Sequence, residues 1–332
     1  MKTGMIVSGI LGLLAAVGLV VWNGAQQVLG ITASVGWGLL WVSLFHFIPS
    51  VFSAMGWRDV SKGDGEAGSW LFVYWRWLRE SSNNLLPFGQ LGGEVVAVRL
   101  MTFRGWRTAN ASASVVADLT METVTQFLFT FLGLALLPAT VQGANVAETA
   151  LVFLAVAFFA IGAFLFVQLK GGFRMLETGL LKLSEKFGWE GLSDISGLHD
   201  TLVNTYRDRT ALLKSAVAHL LSWIAGTGEV WLALHFMGFE VTLADAMVLE
   251  CLGHAIRAAA FAVPGGWGVQ EGGFMVLAGL VGLPPEIGLA LSLVKRGREL
   301  ILGLPGLALW HWEESRRWQG KEHDAADPPP PK

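Results

Sequence analysis

Charged side chains in this sequence recur at helical spacing inside stretches that are otherwise apolar. Arg76, Glu80 and Asn83 or Asn84 fall at i, i+4 and i+7 or i+8, and Glu250, His254 and Arg257 at i, i+4 and i+7. Such intervals place side chains on one helix face. Asp118, Glu122 and Gln126 make a third stripe. Ser292, Arg296 and Glu299 make a fourth, with Lys295 and Arg298 beside it, while Glu229 stands alone in its run. A proline–glycine break follows each of the first two stripes. "PFGQLGGE" runs from Pro87 through Gly89, Gly92 and Gly93 to Glu94, and "PGGWGVQE" from Pro264 through Gly265, Gly266 and Gly268 to Glu271.

An ionisable group at membrane depth costs roughly 3 kcal/mol on insertion scales, so each one asks for a function. Interrupted backbone at that depth must face protein or a water-filled cavity. Glu94 and Glu271, just past the breaks, are expected to line such a cavity, and the resuming helices offer N–H groups to an anion. Acids and bases together suit a zwitterionic or anionic headgroup, and they suit a proton-coupled cycle. Glu94, Arg257, Glu271 and Arg296 are the leading candidates for a transport site. Glu80, Asn84, Asp118, Glu122, Glu250, His254 and Glu299 complete it. Arg76, Arg79 and Lys295, near helix flanks, are as readily explained by snorkelling. The plain alternative for the whole set is ion pairing that only holds helices together.

These groups need a scaffold, and composition names its class. Of 332 residues 53% are hydrophobic and only 15% charged, well short of the roughly one quarter typical of soluble domains. Several apolar runs reach the ~20 residues that cross a bilayer as a helix. The expected fold is all-α and polytopic: six spans at about 4–22, 36–56, 112–138, 149–169, 212–236 and 287–311, plus two re-entrant helical hairpins around Pro87 and Pro264. The N-terminal run is expected to be a retained helix, being too long for a signal peptide. Trp22, Trp57, Trp106, Trp310 and Trp312 end apolar runs, as interfacial belts do.

With both hairpins re-entrant and the N-terminus cytoplasmic, the outer connections lack Lys and Arg, whereas the inner ones hold Arg58, Lys62, Arg104, Arg107, Lys170, Arg174 and Arg207 among others. That is a positive-inside bias, with both termini cytoplasmic. Segment 171–210 is expected to lie on the inner surface as interfacial helix. Residues 313–332, ending "DPPPPK", are expected to be a disordered tail beyond a single transmembrane domain of residues 1–312.

The order span, hairpin, span occurs twice. Repeat 1 covers about 4–138 and repeat 2 about 149–311, and the two enter the membrane from opposite sides. Inverted repeats with sites at midplane breaks are a recurrent transporter architecture. The lone Cys251 excludes an internal disulfide. No HExxH, GxSxG or Walker A motif is present. The expectation is therefore no enzyme activity, no cofactor, no metal site and no nucleic-acid partner.

"SNNLLPFGQLGGE" (82–94), "AVPGGWGVQEGGF" (262–274) and "LALSLVKRGRELILGLPGL" (289–307) resemble the transmembrane flippase-like domain of the lysylphosphatidylglycerol synthase family. "FAVPGGWGVQEGGF" with "SLVKRGRELILGLPGLALW" looks nearest to the branch found with hopanoid biosynthesis. The resemblance implies a bacterial inner-membrane protein that moves, or helps to move, lipids or lipid-linked molecules between leaflets. It carries the family's break onto Pro264, Gly266, Gly268 and Glu271, and the basic position of the last helix onto Arg296. The aminoacyl-transferase domain of the full synthases is not expected in this chain, and neither is lipid aminoacylation. Many relatives have a Glu-Arg pair where this chain reads "VVADLTME", with Asp118 a partial substitute. Two other readings stand beside lipid handling: an ion or small-anion transporter, and a non-transporting subunit that scaffolds lipid-biosynthesis enzymes.

Overall fold

A computed structural model describes residues 2–62, 67–86, 92–140, 198–260 and 263–326, with isolated positions 155 and 159. The described residues form helices and connecting turns, with no strand among them. The expected span at 149–169, the interfacial segment up to residue 197 and the first break, 87–91, lie outside them.

Helix α1 (Lys2–Trp22) ends at Asn23–Gly24, where Gly24 takes a φ of 81°. The chain then turns by 95° into α2 (Ala25–Ser34). The sequence expectation made 23–35 a simple connection. Only Gly24 interrupts it, and α2 gains a packing surface on the last helix, so this stretch is helical. Helices α3 (Gly38–Phe45) and α4 (Phe47–Val60) meet at His46 and form one span, 38–60. Helices α5 (Ser69–Leu85) and α6 (Gly92–Thr102) flank the first break, and α6 packs back on α5. The long α7 (Thr108–Thr140) follows.

Past the undescribed segment, α8 (Leu198–Arg207) leads into α9 (Arg209–Phe236), whose first turn is capped by Asp208 accepting from the Ala211 N–H at 3.0 Å. Helix α10 (Leu243–Ala259) opens on a Thr242/Asp245 capping box. A single 3₁₀ turn at Pro264–Gly266 carries the chain to α11 (Val269–Leu280), which packs on α10. Helix α12 (Pro285–Ala326) runs through Pro305 and into the polar tail.

Among the described residues three helices are long and apolar enough to cross a membrane: 38–60, 108–137 and 209–236; the bent pair α1–α2 supplies a fourth if it counts as one span. Helix α12 occupies the last expected span, but Lys295, Arg296, Arg298 and Glu299 make its centre strongly charged.

The burial pattern is inverted relative to a water-soluble fold. Leu11, Leu14, Trp22, Trp41, Phe131 and Leu304 are exposed, while Arg79, Glu94, Asp118, Glu229, Glu271 and Arg296 are buried. Charged residues almost never bury unpaired, and a wide apolar exterior needs an apolar surrounding. Trp22 and Trp312 are exposed, as a belt requires, whereas Trp57 and Trp106 are buried and cannot belong to one. Those two are buried with Phe72 and Trp75, ring centroids 5.2–6.4 Å apart, and lock α4 and α5 together. Tryptophans at helix ends face either headgroups or a neighbouring helix, and only packing decides which.

Candidate functional site

The first hairpin closes on itself through Asn83. Its amide oxygen accepts from the Gly93 N–H at 2.7 Å, and its amide nitrogen donates to Glu94 at 3.2 Å. A Cβ at Gly93 would lie 2.1 Å from the Arg79 carbonyl oxygen, so this approach of α6 to α5 requires glycine. Arg79 Nε pairs with Glu94 at 2.6 Å, and the same guanidinium pairs with Asp118 of α7. Arg76 grips Glu122 with two bonds of 3.0 and 2.6 Å. Asp118 in turn meets His219 of α9 at 2.9 Å, and His219 reaches Ser53 of α4 at 3.3 Å.

The second hairpin closes differently. Gly265, Gly266 and Gly268 all have positive φ, which turns the backbone sharply into α11. Glu271 caps its own helix, accepting from the Gly268 N–H at 2.6 Å, and its other oxygen takes Arg296 Nε at 3.0 Å. Arg296 also donates to Glu299 at 3.0 Å and stacks over Trp267, 4.3 Å from the ring centre. Arg257 donates to Glu299 at 2.5 Å, to Gln270 at 3.1 Å and to Asn84 at 2.8 Å. That last bond joins the second hairpin to the first. At the starts of the two resuming helices the N–H groups expected to await an anion are in part taken: Asn83 holds Gly93, and Glu271 holds Gly268.

Between the hairpins runs a chain of alternating acids and bases. Glu80 meets His46 Nε2 at 2.7 Å, and His46 Nδ1 meets Glu229 at 2.7 Å. Lys295 lies 3.6 Å from Glu229 and 2.7 Å from Glu250, which meets His254 at 3.0 Å. Arg298 sits against His46 and 3.4 Å from Glu229. The ends of this chain are its wettest members, with side-chain exposures of 25% for Glu80 and 30% for His254, against 2% for Glu229. Beside Glu80 a cleft opens between α4, α5 and α12. His46, Glu80, Asn84 and Arg298 form its polar side, and Trp77 and Leu302 its apolar side. Among the described residues no group of His, Cys, Asp and Glu is arranged to hold a metal ion.

Every candidate side chain that the structure describes enters one of these networks. Three sequence readings change. Glu229, isolated along the chain, is a hub in space, touched by His46, Lys295 and Arg298. Arg79 and Lys295 do not snorkel; they are buried, each between two carboxylates. Arg76 likewise pairs inward, with Glu122. His46 and His219 were missed altogether. A single histidine within an apolar run has no stripe to mark it, although ionisability at membrane depth was signal enough.

An all-helical fold with an apolar exterior and a charged, paired interior is that of a membrane protein. The chain belongs to the family described as the lysylphosphatidylglycerol synthase transmembrane region, whose sequence profile matches residues 9–306. That membership points to a membrane lipid-related function. No curated protein and no solved structure matches the chain significantly.

Proposed function

We propose that this protein moves a lipid or lipid-linked molecule, a phospholipid or hopanoid, between the leaflets of a bacterial inner membrane. It does so without enzymatic chemistry. In this reading the six spans and two opposed hairpins form an inverted repeat with both termini cytoplasmic. The observation that carries it is the Arg257–Asn84 bond beside the Glu80 cleft: both hairpins present half-buried polar groups to one place, walled on one side by Trp77 and Leu302. A headgroup would engage the polar side while acyl or polycyclic tails stay against the apolar exterior. Arg257 and Arg296 would attract an anionic or hydroxylated head, and Glu94 and Glu271 would exchange cations or protons as it passes.

Mass spectrometry of lipid retained by the gently purified protein tests this directly. One lipid class is expected to be enriched in wild type and lost in Glu94→Gln/Glu271→Gln. Leaflet exchange of a labelled phospholipid in proteoliposomes is expected to fall about tenfold or more in Glu271→Gln, on the scale of ~1.4 kcal/mol per decade for one charge-assisted contact. Bulk lipid in equal amount in both proteins, with unchanged exchange, would sink the reading. Ion flux without lipid exchange would move it to an ion carrier.

A further inference from the structure

Where α6 turns into α7, the chain meets the far end of α12, and arginines gather there. Phe103 is the meeting point. The Arg99 and Arg317 guanidiniums lie over its ring, 4.6 and 4.0 Å from the centre, and Arg317 Nη2 donates to its carbonyl oxygen at 2.7 Å. Desolvation, and after it Arg104 and Arg99, push the Arg317 guanidinium below its ordinary value against the pull of Glu313 and Glu314, so these groups act on one another. Arg107 ends the same turn, and Arg316 stacks on Trp312, 4.1 Å from its ring centre.

The carboxylates at this corner are turned inward. Glu314 pairs with Arg99 at 2.9 Å, and Glu313 accepts from the Tyr74 hydroxyl of α5. Both are half-buried, whereas Arg104, Arg107, Arg316 and Arg317 are exposed. Among the described residues none of those four has a carboxylate at salt-bridge distance, and Arg58 and Asp59 at the end of α4 pair with each other. Like charges held together at a surface call for an anion from outside. Positive charge alone would orient a chain in a membrane, and lysine would serve. The cations here are all arginine, whose planar fork matches phosphate oxygens in pairs.

The neighbouring surface says what carries the phosphate. Leu300, Leu304, Ala308, Trp312 and Arg316 follow at four-residue steps on α12, and all are exposed. One helix face thus passes from aliphatic to aromatic to cationic, the order met on going from acyl chains to headgroups. A soluble anion has no use for that stripe, and a lipid does. We propose that the α6–α12 corner binds an anionic phospholipid: Arg104 and Arg317 fork its phosphate oxygens, Arg316 and Trp312 bound the headgroup, and the acyl chains lie along the α12 stripe. The site is roughly 21 Å of helix beyond Leu302 of the Glu80 cleft, so it holds a boundary lipid and stands apart from the translocation reading.

Native mass spectrometry of the detergent-purified protein, titrated with phosphatidic acid and with phosphatidylcholine, tests this. Wild type is expected to bind phosphatidic acid about tenfold or more tightly, since the arginines repel the choline cation. Arg104→Gln/Arg317→Gln is expected to lose that preference and keep the phosphatidylcholine affinity. Removing Arg317 also releases the Phe103 carbonyl, so the exposed Arg104→Lys is the second variant. It keeps the charge without the fork, and is expected to bind phosphatidic acid about threefold or more weakly. Glycerol 3-phosphate, the same headgroup without tails, is expected to compete only at far higher concentration. The Glu94→Gln/Glu271→Gln protein is expected to bind phosphatidic acid as wild type does, which keeps this site distinct from the transport site. Equal affinity of wild type for the two lipids, or an Arg104→Lys profile superimposed on wild type, overturns the proposal. Glycerol 3-phosphate competing as well as the lipid would mark a soluble-anion site and overturns it too.

Discussion

The two hairpins place a glutamate at the same distance past a proline–glycine break, and the structure uses the two glutamates differently. Glu94 leaves its helix start to Asn83 and pairs with Arg79 of the preceding helix. Glu271 caps its own helix and pairs with Arg296 of the following one. The partners are arranged differently as well. Around the first break Arg76 and Arg79 of α5 face Asp118 and Glu122 of α7. Around the second, both signs come from each side: α12 brings Lys295, Arg296, Arg298 and Glu299, and α10 brings Glu250 and Arg257. A repeated local sequence thus fixes where a carboxylate enters the protein interior, and the neighbouring helices decide what it does there.

Removing the cation nearest each glutamate is the strongest way to break that comparison. Arg79→Ala strands Glu94 with only Asn83, and it is expected to cost ~3–5 kcal/mol of stability, the range for one partner of a buried pair. Arg296→Ala is expected to cost less, because Glu271 keeps the Gly268 N–H and Glu299 keeps Arg257. Thermal unfolding in detergent, followed by circular dichroism, ranks them. Equal losses would mean that the capping role of Glu271 carries no weight. The paired variant Arg79→Met/Glu94→Gln should recover part of the loss.

Backbone closure at the breaks gives the next effect. Gly93→Ala meets the Arg79 carbonyl oxygen and is expected to cost about 2–3 kcal/mol as the hairpin reopens. Gly282→Ala has a φ of 75° but open space around it, so only backbone strain of about 1 kcal/mol is expected. The same melts measure both. If Gly93→Ala proves as mild as Gly282→Ala, α6 does not sit against α5.

The smallest effect lies at an exposed ion pair. The Lys62 ammonium, and after it the Ala211 N–H, hold the Asp208 carboxyl below the usual carboxylate range. A depressed folded value means that the contribution is present above the unfolded pKa, about 3.9, and fades as pH falls through the folded one. Asp208→Asn should therefore be slightly less stable than wild type at pH 7, and the difference should vanish as pH falls below about 4. Acid melts of the two proteins compare it, and added salt should shrink the wild-type difference, since both groups are exposed.

The membrane class, the helical spans at 38–60, 108–137 and 209–236, and the stripe residues were legible because composition and the 3.6-residue period are local properties. So were Glu94 and Glu271, marked by the breaks before them. His46 was not, since its meaning comes from Glu80 and Glu229, which lie 34 and 183 positions away. Arg79 and Lys295 were misjudged because distance from a helix end along the chain does not say which way a side chain turns. The α2 helix was missed because one glycine reads as a loop until a neighbouring helix provides a surface to pack on.

By itself the sequence determined that this chain enters a bilayer, that a helix breaks at Pro264, and which stripes of charge lie along its helices. Those follow from hydropathy, backbone chemistry and residue order. The tertiary structure alone decided which acid meets which base, that Glu229 is a hub, that Arg257 reaches across to Asn84, and that His46 sits between two carboxylates. Each of these joins residues far apart in sequence, and a charge buried at that depth is tolerated only with a partner that the fold delivers to it.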